Sequence, residues 1–326
     1  RISHGLSGQP RKAVSRTFYD GVARLVDTGR LEVVERVTDT ADGFVKYLFR
    51  SPDGAETEAV RIPLEKPGRF SVCLSSQVGC AMRCDFCATG RLGLSRNLAA
   101  WEMVSAFCTV RDEAAAEGGR VTGAVFMGQG EPFHNYEEVI QAAKILSHSC
   151  GGRIAAKAIS ISTVGLVPQI RRYTREGHRY RLIVSLTSAI TERRRALLPV
   201  AGRFALEDLG EAIRAHADAT PGLMTIAWVL MGGVNHDRQE AEALADLLGT
   251  VPLRISLIDV NDARPDGYRR ATDEERRVFF DQLSPLGPLV RRYSGGRNQH
   301  AACGMLAAKR RGRSSSISSI SSNRRN

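Results

Sequence analysis

From residue 70 onward the apolar positions fall into short, near-continuous runs, each followed by a longer stretch with helical spacing. The runs at 70–74, 123–127, 158–162, 182–186, 224–230, 254–258 and 289–292 predict strands, and 98–117, 136–148, 166–174, 206–217, 238–248 and 273–282 predict helices between them. Strands without polar alternation are buried on both faces, as in a parallel sheet covered by helices. The pattern predicts an α/β fold of partial or full (β/α) barrel type, with its functional groups at the C-terminal ends of the strands. Upstream, runs at 31–37, 43–49 and 57–62 are separated by Asp-Thr-Ala-Asp and Ser-Pro-Asp-Gly, which predicts a small antiparallel sheet laid against the main domain as an accessory element. Residues 10–29 form a weakly amphipathic stretch in which Phe18, Val22 and Leu25 share one helical side. The expected plan is an N-terminal helix and β extension at 1–66, a barrel core at 67–308 and a disordered basic tail at 309–326.

The 326 residues, 43% of them hydrophobic, suffice for one such domain with extensions. No run approaches the roughly 20 apolar residues of a membrane span, and no signal-peptide core is present, which points to a soluble, cytoplasmic protein. The seven cysteines suit a reducing compartment rather than a disulfide framework. Formal net charge is +11, but the Ser-rich tail from Lys309 to Asn326 carries six of those charges and no acid. Outside it the basic character is modest.

The chemistry concentrates in Cys80-Ala-Met-Arg-Cys84-Asp-Phe-Cys87, directly after the first strand of the repeating pattern. Three thiolates spaced C-x3-C-x2-C can hold three irons of a cubane cluster and leave the fourth open to a small molecule's amine and carboxylate, with Phe86 placed to shield it. Structural zinc is the alternative, but it usually takes four ligands in C-x2-C pairs, and no second pair exists. Gly128-Gln-Gly130-Glu131-Pro132 follows the second strand; its glycines can bring backbone close to a ligand, and Glu131 can accept from an amino group. Ser162, Ser185, Thr187 and Asn261 close the third, fourth and sixth strands and are candidate donors to the same ligand. Of the remaining thiols, Cys108 and Cys150 read as buried structural cysteines, while Cys73 on the first strand and Cys303 near the far end are open to either role.

Cys73-Leu-Ser-Ser-Gln-Val-Gly-Cys80, Cys84-x2-Cys87-Ala-Thr-Gly90, Gly-Gln-Gly-Glu131-Pro132 with Asn135, Ser160-Ile-Ser162-Thr-Val-Gly165 and Ala301-Ala302-Cys303-Gly304 together closely resemble the radical S-adenosylmethionine methyltransferases that modify carbon 2 or carbon 8 of adenine in ribosomal and transfer RNA. The resemblance spans about residues 43–308. It implies a radical S-adenosylmethionine barrel with a [4Fe–4S] cluster on Cys80, Cys84 and Cys87, and S-adenosylmethionine as both methyl donor and radical source. By the same resemblance Cys303 carries a methyl group from a first cofactor molecule, and a radical from a second activates that methyl for addition to an sp2 carbon. Cys73 then resolves the adduct and leaves a Cys73–Cys303 disulfide to be reduced. Gly130, Glu131, Pro132, Ser162, Ser185, Thr187 and Asn261 fall in the cofactor-binding positions. A flavodoxin- or ferredoxin-type reductant and a monomeric enzyme are the implied setting.

Three departures from the family bear on the substrate. Thr187 stands where a histidine is usual, Arg297-Asn298-Gln299-His300 replaces an acidic segment before Cys303, and only 30 residues precede Leu31, where the family has a helical RNA-binding module. Arginines at 91, 96, 171, 172, 175, 193–195, 269, 270, 291, 292 and 297 are expected around the entrance. RNA adenine is the expected target. The same chemistry on a small heteroaromatic metabolite is the alternative, and a non-enzymatic RNA-binding protein with a structural cluster is the third reading.

Overall fold

The computed structural model describes Thr17, Gly21 and residues 29–262, 264–292, 295–296 and 302–306. The expected helix at 10–29, the segment from Arg297 to His300 and the basic tail fall, wholly or nearly so, outside them.

Twelve strands are present among the described residues, ten of them in one mixed sheet. The first four, β1 (Glu32–Thr38), β2 (Val45–Arg50), β3 (Glu56–Pro63) and β4 (Arg69–Leu74), pair antiparallel in sequence order. The turns form where Asp-Thr-Ala-Asp and Ser-Pro-Asp-Gly are written, and Gly43 and Gly54 take the positive φ these bends require. From β4 the sheet continues parallel through β7 (Arg120–Phe126), β8 (Ile159–Thr163), β9 (Arg181–Ser185), β10 (Met224–Leu230), β11 (Leu253–Asp259) and β12 (Leu289–Arg292). Six β/α repeats and a closing strand thus make the α/β core, open between β1 and β12 among the described residues.

The accessory sheet expected to lie against the domain is instead part of its main sheet. The free edge of β4 pairs with β3, placing Val60 opposite Cys73. An unpaired edge would expose a row of backbone donors and acceptors, so continuation of the ladder is the satisfied arrangement.

The major helices lie close to the predicted ranges. They are α2 (Ala100–Ala116), α3 (Tyr136–Ser147), α4 (Val167–Arg175), α6 (Leu206–Ala219), α7 (Arg238–Leu248) and α8 (Asp273–Leu283), and the short α1 (Ala88–Leu92) and α5 (Thr191–Leu197) accompany them. Helix α2 covers the antiparallel strands, where the Tyr47 hydroxyl donates to Glu113 at 2.8 Å and the Leu31 amide donates to Ser105 Oγ at 2.9 Å. On the far side Trp228 packs against Phe279, with ring centroids 5.6 Å apart, and donates from Nε1 to the Asn235 carbonyl. Cys108 is buried in α2 as expected, but Cys150 is exposed, because the turn after α3 runs over the surface. No described helix is long and apolar enough to cross a membrane.

His216 of α6 is buried between helices, with Nδ1 2.9 Å from Thr174 Oγ1 and its ring 5.8 Å from that of Tyr173. Burial lowers its pKa below the usual 6.5. As pH falls through the unfolded value, the unfolded chain binds a proton that the folded chain refuses. The stability contribution is therefore complete above pH 6.5 and lost below it. Urea unfolding at pH 5.5 and 7.5 is expected to show a drop at the acidic pH that shrinks in His216→Phe; an equal drop in both proteins would contradict this.

Candidate functional site

The three-cysteine loop leaves the C-terminal end of β4 and is gripped by an unpredicted hairpin, β5 (Gln77–Gly79) with β6 (Leu94–Asn97). The Cys80 amide donates to the Gly93 carbonyl at 2.8 Å, and a Cβ on Gly79 (φ +76°) would lie 1.9 Å from that same oxygen, so no side chain fits there. Helix α1 begins right after Cys87, and its Gly90 lies so close to the loop that a Cβ would meet the Cys84 carbonyl at 2.8 Å. Cys80 and Cys84 are each 8% exposed, and Phe86 and Cys87 are half-buried against the core. Burial pushes the Cys80 thiol up to about 12 and that of Cys84 well above the ordinary range, and both feel the Cys87 thiol and the Glu131 carboxylate.

Three adjoining thiols, two of them deeply buried, fit a cluster of cationic iron, since metal ligation removes the thiol proton outright. Among the described residues, no three His, Cys, Asp or Glu side chains converge on a position for one ion.

Glu131 follows β7 and is 2% exposed. Its carboxylate accepts from the Phe133 and Val164 amides, both at 2.9 Å, so it ties the loop after β7 to the loop after β8. Burial nevertheless raises its pKa to about 7. The glycines beside it serve the protein's own packing: a Cβ on Gly128 would meet the Leu74 carbonyl at 2.8 Å, and one on Gly130 (φ +102°) would meet Gln77 Cβ at 2.6 Å. Gln77 also accepts from the Glu131 amide through Oε1 at 2.9 Å. Pro132 opens a single 3-10 turn ending at Asn135, whose amide donates to the carbonyls of Ser76 and Leu98 and so pins the cysteine hairpin to this loop.

Across the same rim, Ser162 Oγ on β8 and Ser185 Oγ on β9 lie 3.2 Å apart, both half-buried. Thr187 is fully buried with φ +63°, an unusual conformation for a β-branched residue, and its hydroxyl has no hydrogen-bond partner among the described residues. An orphaned hydroxyl on a strained backbone at the rim fits a position completed by a polar ligand. Asn261, after β11, is already engaged: its Nδ2 donates to the Asp259 and Cys303 carbonyls, and its Oδ1 accepts from Arg270.

Residues 302–306 fold back over this rim. The Ala88 amide donates to the Gly304 carbonyl at 2.7 Å and the Thr89 hydroxyl donates to the Leu306 carbonyl at 2.6 Å, docking the segment on α1. Cys303 rests on Ile183, Ala227 and Ile258 from three parallel strands, and Met127 packs beside both Cys303 and Cys73. Burial pushes the Cys73 thiol up to about 12; Cys303 adds to the rise and the Arg292 guanidinium opposes it. Neither cysteine is in a disulfide with a described residue. The two residues, far apart in sequence, therefore meet at one point of the rim.

Several site features escape a linear reading. Arg194, 3% exposed on α5, donates to the carbonyls of Val164, Ser185 and Leu186 and interacts with the Cys84 thiol. Desolvation lowers its pKa to about 10. The surrounding Thr-Glu-Arg-Arg-Arg reads as a solvated charge run, and only its place directly after the Ser185–Thr187 rim could have marked it. Lys46 of β2 and Glu58 of β3 form a buried ion pair at 3.0 Å beside Gln129, and β3 also carries Val60 toward Cys73. A charged residue at an inward position of an apolar strand is its only sequence signal.

The expected arginine-lined entrance is corrected in part, since Arg195, Arg270 and Arg292 do lie toward this end. Arg195 and Arg292 form no ion pair among the described residues, and Arg270 donates to Val260 and Asn261. Arg171, Arg172 and Arg175 lie in the last turns of α4, which lead down to the start of β9 and hence to the opposite end of the sheet. At the rim, Arg96 is held by Asp53 and Glu102, Arg193 by Asp237 and Glu240, Arg269 by Glu275 and Arg291 by Asp259. Arg91 faces Asp262 at 3.9 Å, and Arg297 lies outside the described residues.

No protein-family model matches the chain. A protein of Anaeromyxobacter sp. described as a probable RNA methyltransferase is 49% identical over 314 residues, covering 95% of this chain and 91% of the relative. The dual-specificity RNA methyltransferase RlmN of Syntrophotalea carbinolica is 38% identical over 276 residues, 84% of this chain and 72% of its own. Among solved structures, a radical SAM methyltransferase from Sphaerobacter thermophilus superposes with a TM-score of 0.84 at 37% identity, covering 91% of this chain and 86% of that one.

Proposed function

Because the chain belongs to the radical SAM RNA methyltransferase family, we propose that it methylates an sp2 carbon of adenine in ribosomal or transfer RNA, with Cys303 as transient methyl carrier and Cys73 as resolving thiol. What supports this reading above all is the meeting of Cys303 and Cys73 on the rim that also carries Cys80, Cys84 and Cys87.

Cys80, Cys84 and Cys87 would hold a [4Fe–4S] cluster, and the loops ending at Glu131, Ser162, Ser185 and Thr187 would hold S-adenosylmethionine. Bound there, the pair supplies a carbon radical able to take a hydrogen atom from an unactivated methyl group. Cys303 accepts the methyl cation as its thiolate, losing the thiol proton and forming a thioether. After hydrogen-atom removal its sulfur-bound carbon would join the sp2 carbon of the base, which would lose its proton and return one electron to the one-electron carrier that supplied the electron for cofactor cleavage. The Cys73 thiolate then attacks the Cys303 sulfur, so that an S–S bond replaces the S–C bond and the released carbon takes a proton to become the product methyl. An external dithiol reduces the disulfide. Burial favours the protonated form of Cys73, so its deprotonation would need a base at the adduct. A flavodoxin- or ferredoxin-type carrier in the cytoplasm would deliver single electrons to a monomeric enzyme.

The test is reaction of cluster-loaded protein with methyl-labelled S-adenosylmethionine in the presence of total RNA or of a small-molecule extract, followed by mass analysis. Label in RNA adenosine is the expected result. Label only in a small heteroaromatic compound would move the same chemistry to a metabolite, and cofactor cleavage without label transfer to either would overturn the methyltransferase reading.

A further inference from the structure

The end of the sheet opposite the thiols carries a feature the reaction does not use. Two adjoining grooves open where β8, β9, β10 and β11 begin, with volumes of about 690 and 410 Å3. They share Lys157, Arg179 and Tyr180, and the second adds Arg181 and Arg254. Neither wall contains an aspartate or glutamate. Lys157, Arg179 and Arg181 are exposed, and none of the four cations forms an ion pair among the described residues. Of the acids next in sequence to wall residues, Glu176 is engaged by Arg172, His178 and Tyr136, and Asp218 lies outside the wall. At the rim the pattern is reversed, since Arg96, Arg193, Arg269 and Arg291 each sit on a carboxylate.

Four like charges gathered around a groove without acids repel one another, and a polyanion relieves that repulsion while releasing its own condensed counterions. Resting on the RNA reading above, we propose that these grooves are a second contact for the phosphate backbone of the RNA whose base enters the opposite rim. Strands of five to seven residues separate the two ends by roughly 17–23 Å. A mononucleotide or an oligonucleotide of fewer than about five residues cannot reach both, so the groove favours a larger, folded RNA that wraps the sheet edge. An acidic electron-carrier protein is disfavoured as occupant, because it must approach the thiol loop and the grooves lie at the other end.

The test compares the cluster-loaded protein with the triple variant Lys157→Gln, Arg179→Gln, Arg181→Gln, all at exposed positions. The titrants are full-length transfer or ribosomal RNA fragments and a short oligonucleotide carrying the target adenine. For the folded RNA, the variant is expected to bind ten- to a hundredfold more weakly at low salt, with a log K against log salt slope shallower by about 2–3. Affinity for the oligonucleotide and the rate of uncoupled cofactor cleavage should stay unchanged. Unchanged affinity and slope for folded RNA, with methylation intact, overturn the groove and leave the function standing. A wild-type protein that neither binds nor methylates RNA overturns both. Loss of reduction by a protein electron carrier at unchanged RNA affinity overturns the groove in favour of that carrier.

Discussion

Replacing Cys303 with alanine is expected to lower methylated product by on the order of a thousandfold or more while cofactor cleavage continues uncoupled. The substitution removes one half-buried sulfur from a segment held by its backbone, through the Gly304 and Leu306 carbonyls on Ala88 and Thr89. The fold and the thiol loop should therefore persist, and the loss falls on the group proposed to carry the methyl. Cys73→Ala is the informative partner. With Cys303 intact, the covalent adduct should form and stay on the protein, visible as an RNA-sized mass shift that nuclease reduces to a nucleotide adduct. Product from Cys303→Ala, or absence of any trapped adduct in Cys73→Ala, would remove the methyl relay.

Arg194→Met is expected to destabilise the cluster-free protein by about 3 kcal/mol and to leave it unable to retain iron. Three carbonyls at the ends of the β8 and β9 loops lose this donor at once, although that of Leu186 keeps the Ser188 amide. Each buried acceptor left unpaired costs about 1–3 kcal/mol, while relief of the guanidinium's own desolvation returns part of that sum. The same cation lies next to Cys84, where it offsets negative charge that the thiolates acquire on binding iron. Arg194→Lys keeps the charge but cannot span three carbonyls. It should recover part of the iron content and little of the stability. Urea unfolding and iron-to-protein ratio after reconstitution measure the two effects separately. Wild-type iron retention in Arg194→Met would refute the charge-compensating role, and unchanged unfolding would refute the scaffold role.

Much of this architecture is legible before any coordinate is known. The apolar runs that become β4, β7, β8, β9, β10 and β11 are largely buried, so periodicity and length mark them without knowledge of neighbours, whereas β12 is a short edge strand with Val290 exposed. The thiol spacing at Cys80, Cys84 and Cys87 and the clustering of Glu131, Ser162, Ser185 and Thr187 at strand ends are likewise local facts. Other features are not local. The β5–β6 hairpin has strands of three and four residues, and its signal is the contact between Gly79 and Gly93 across the cysteine loop. The arginines at the rim read as free cations because nothing in the sequence says that Asp53, Glu275 or Asp259 will neutralise them.

Residue chemistry and short-range pattern thus set the alternation of strands and helices, the donor set of the cysteine loop and the end of the sheet where reactive groups gather, because each depends on neighbours a few positions away. Chain folding alone settled that the antiparallel strands extend the main sheet, that Cys303 arrives beside Cys73, that Arg194 is interior, and that unneutralised cations lie opposite the rim. Those outcomes depend on which distant groups satisfy each other's hydrogen bonds and charges once water is excluded, and such pairing has no signature along the chain.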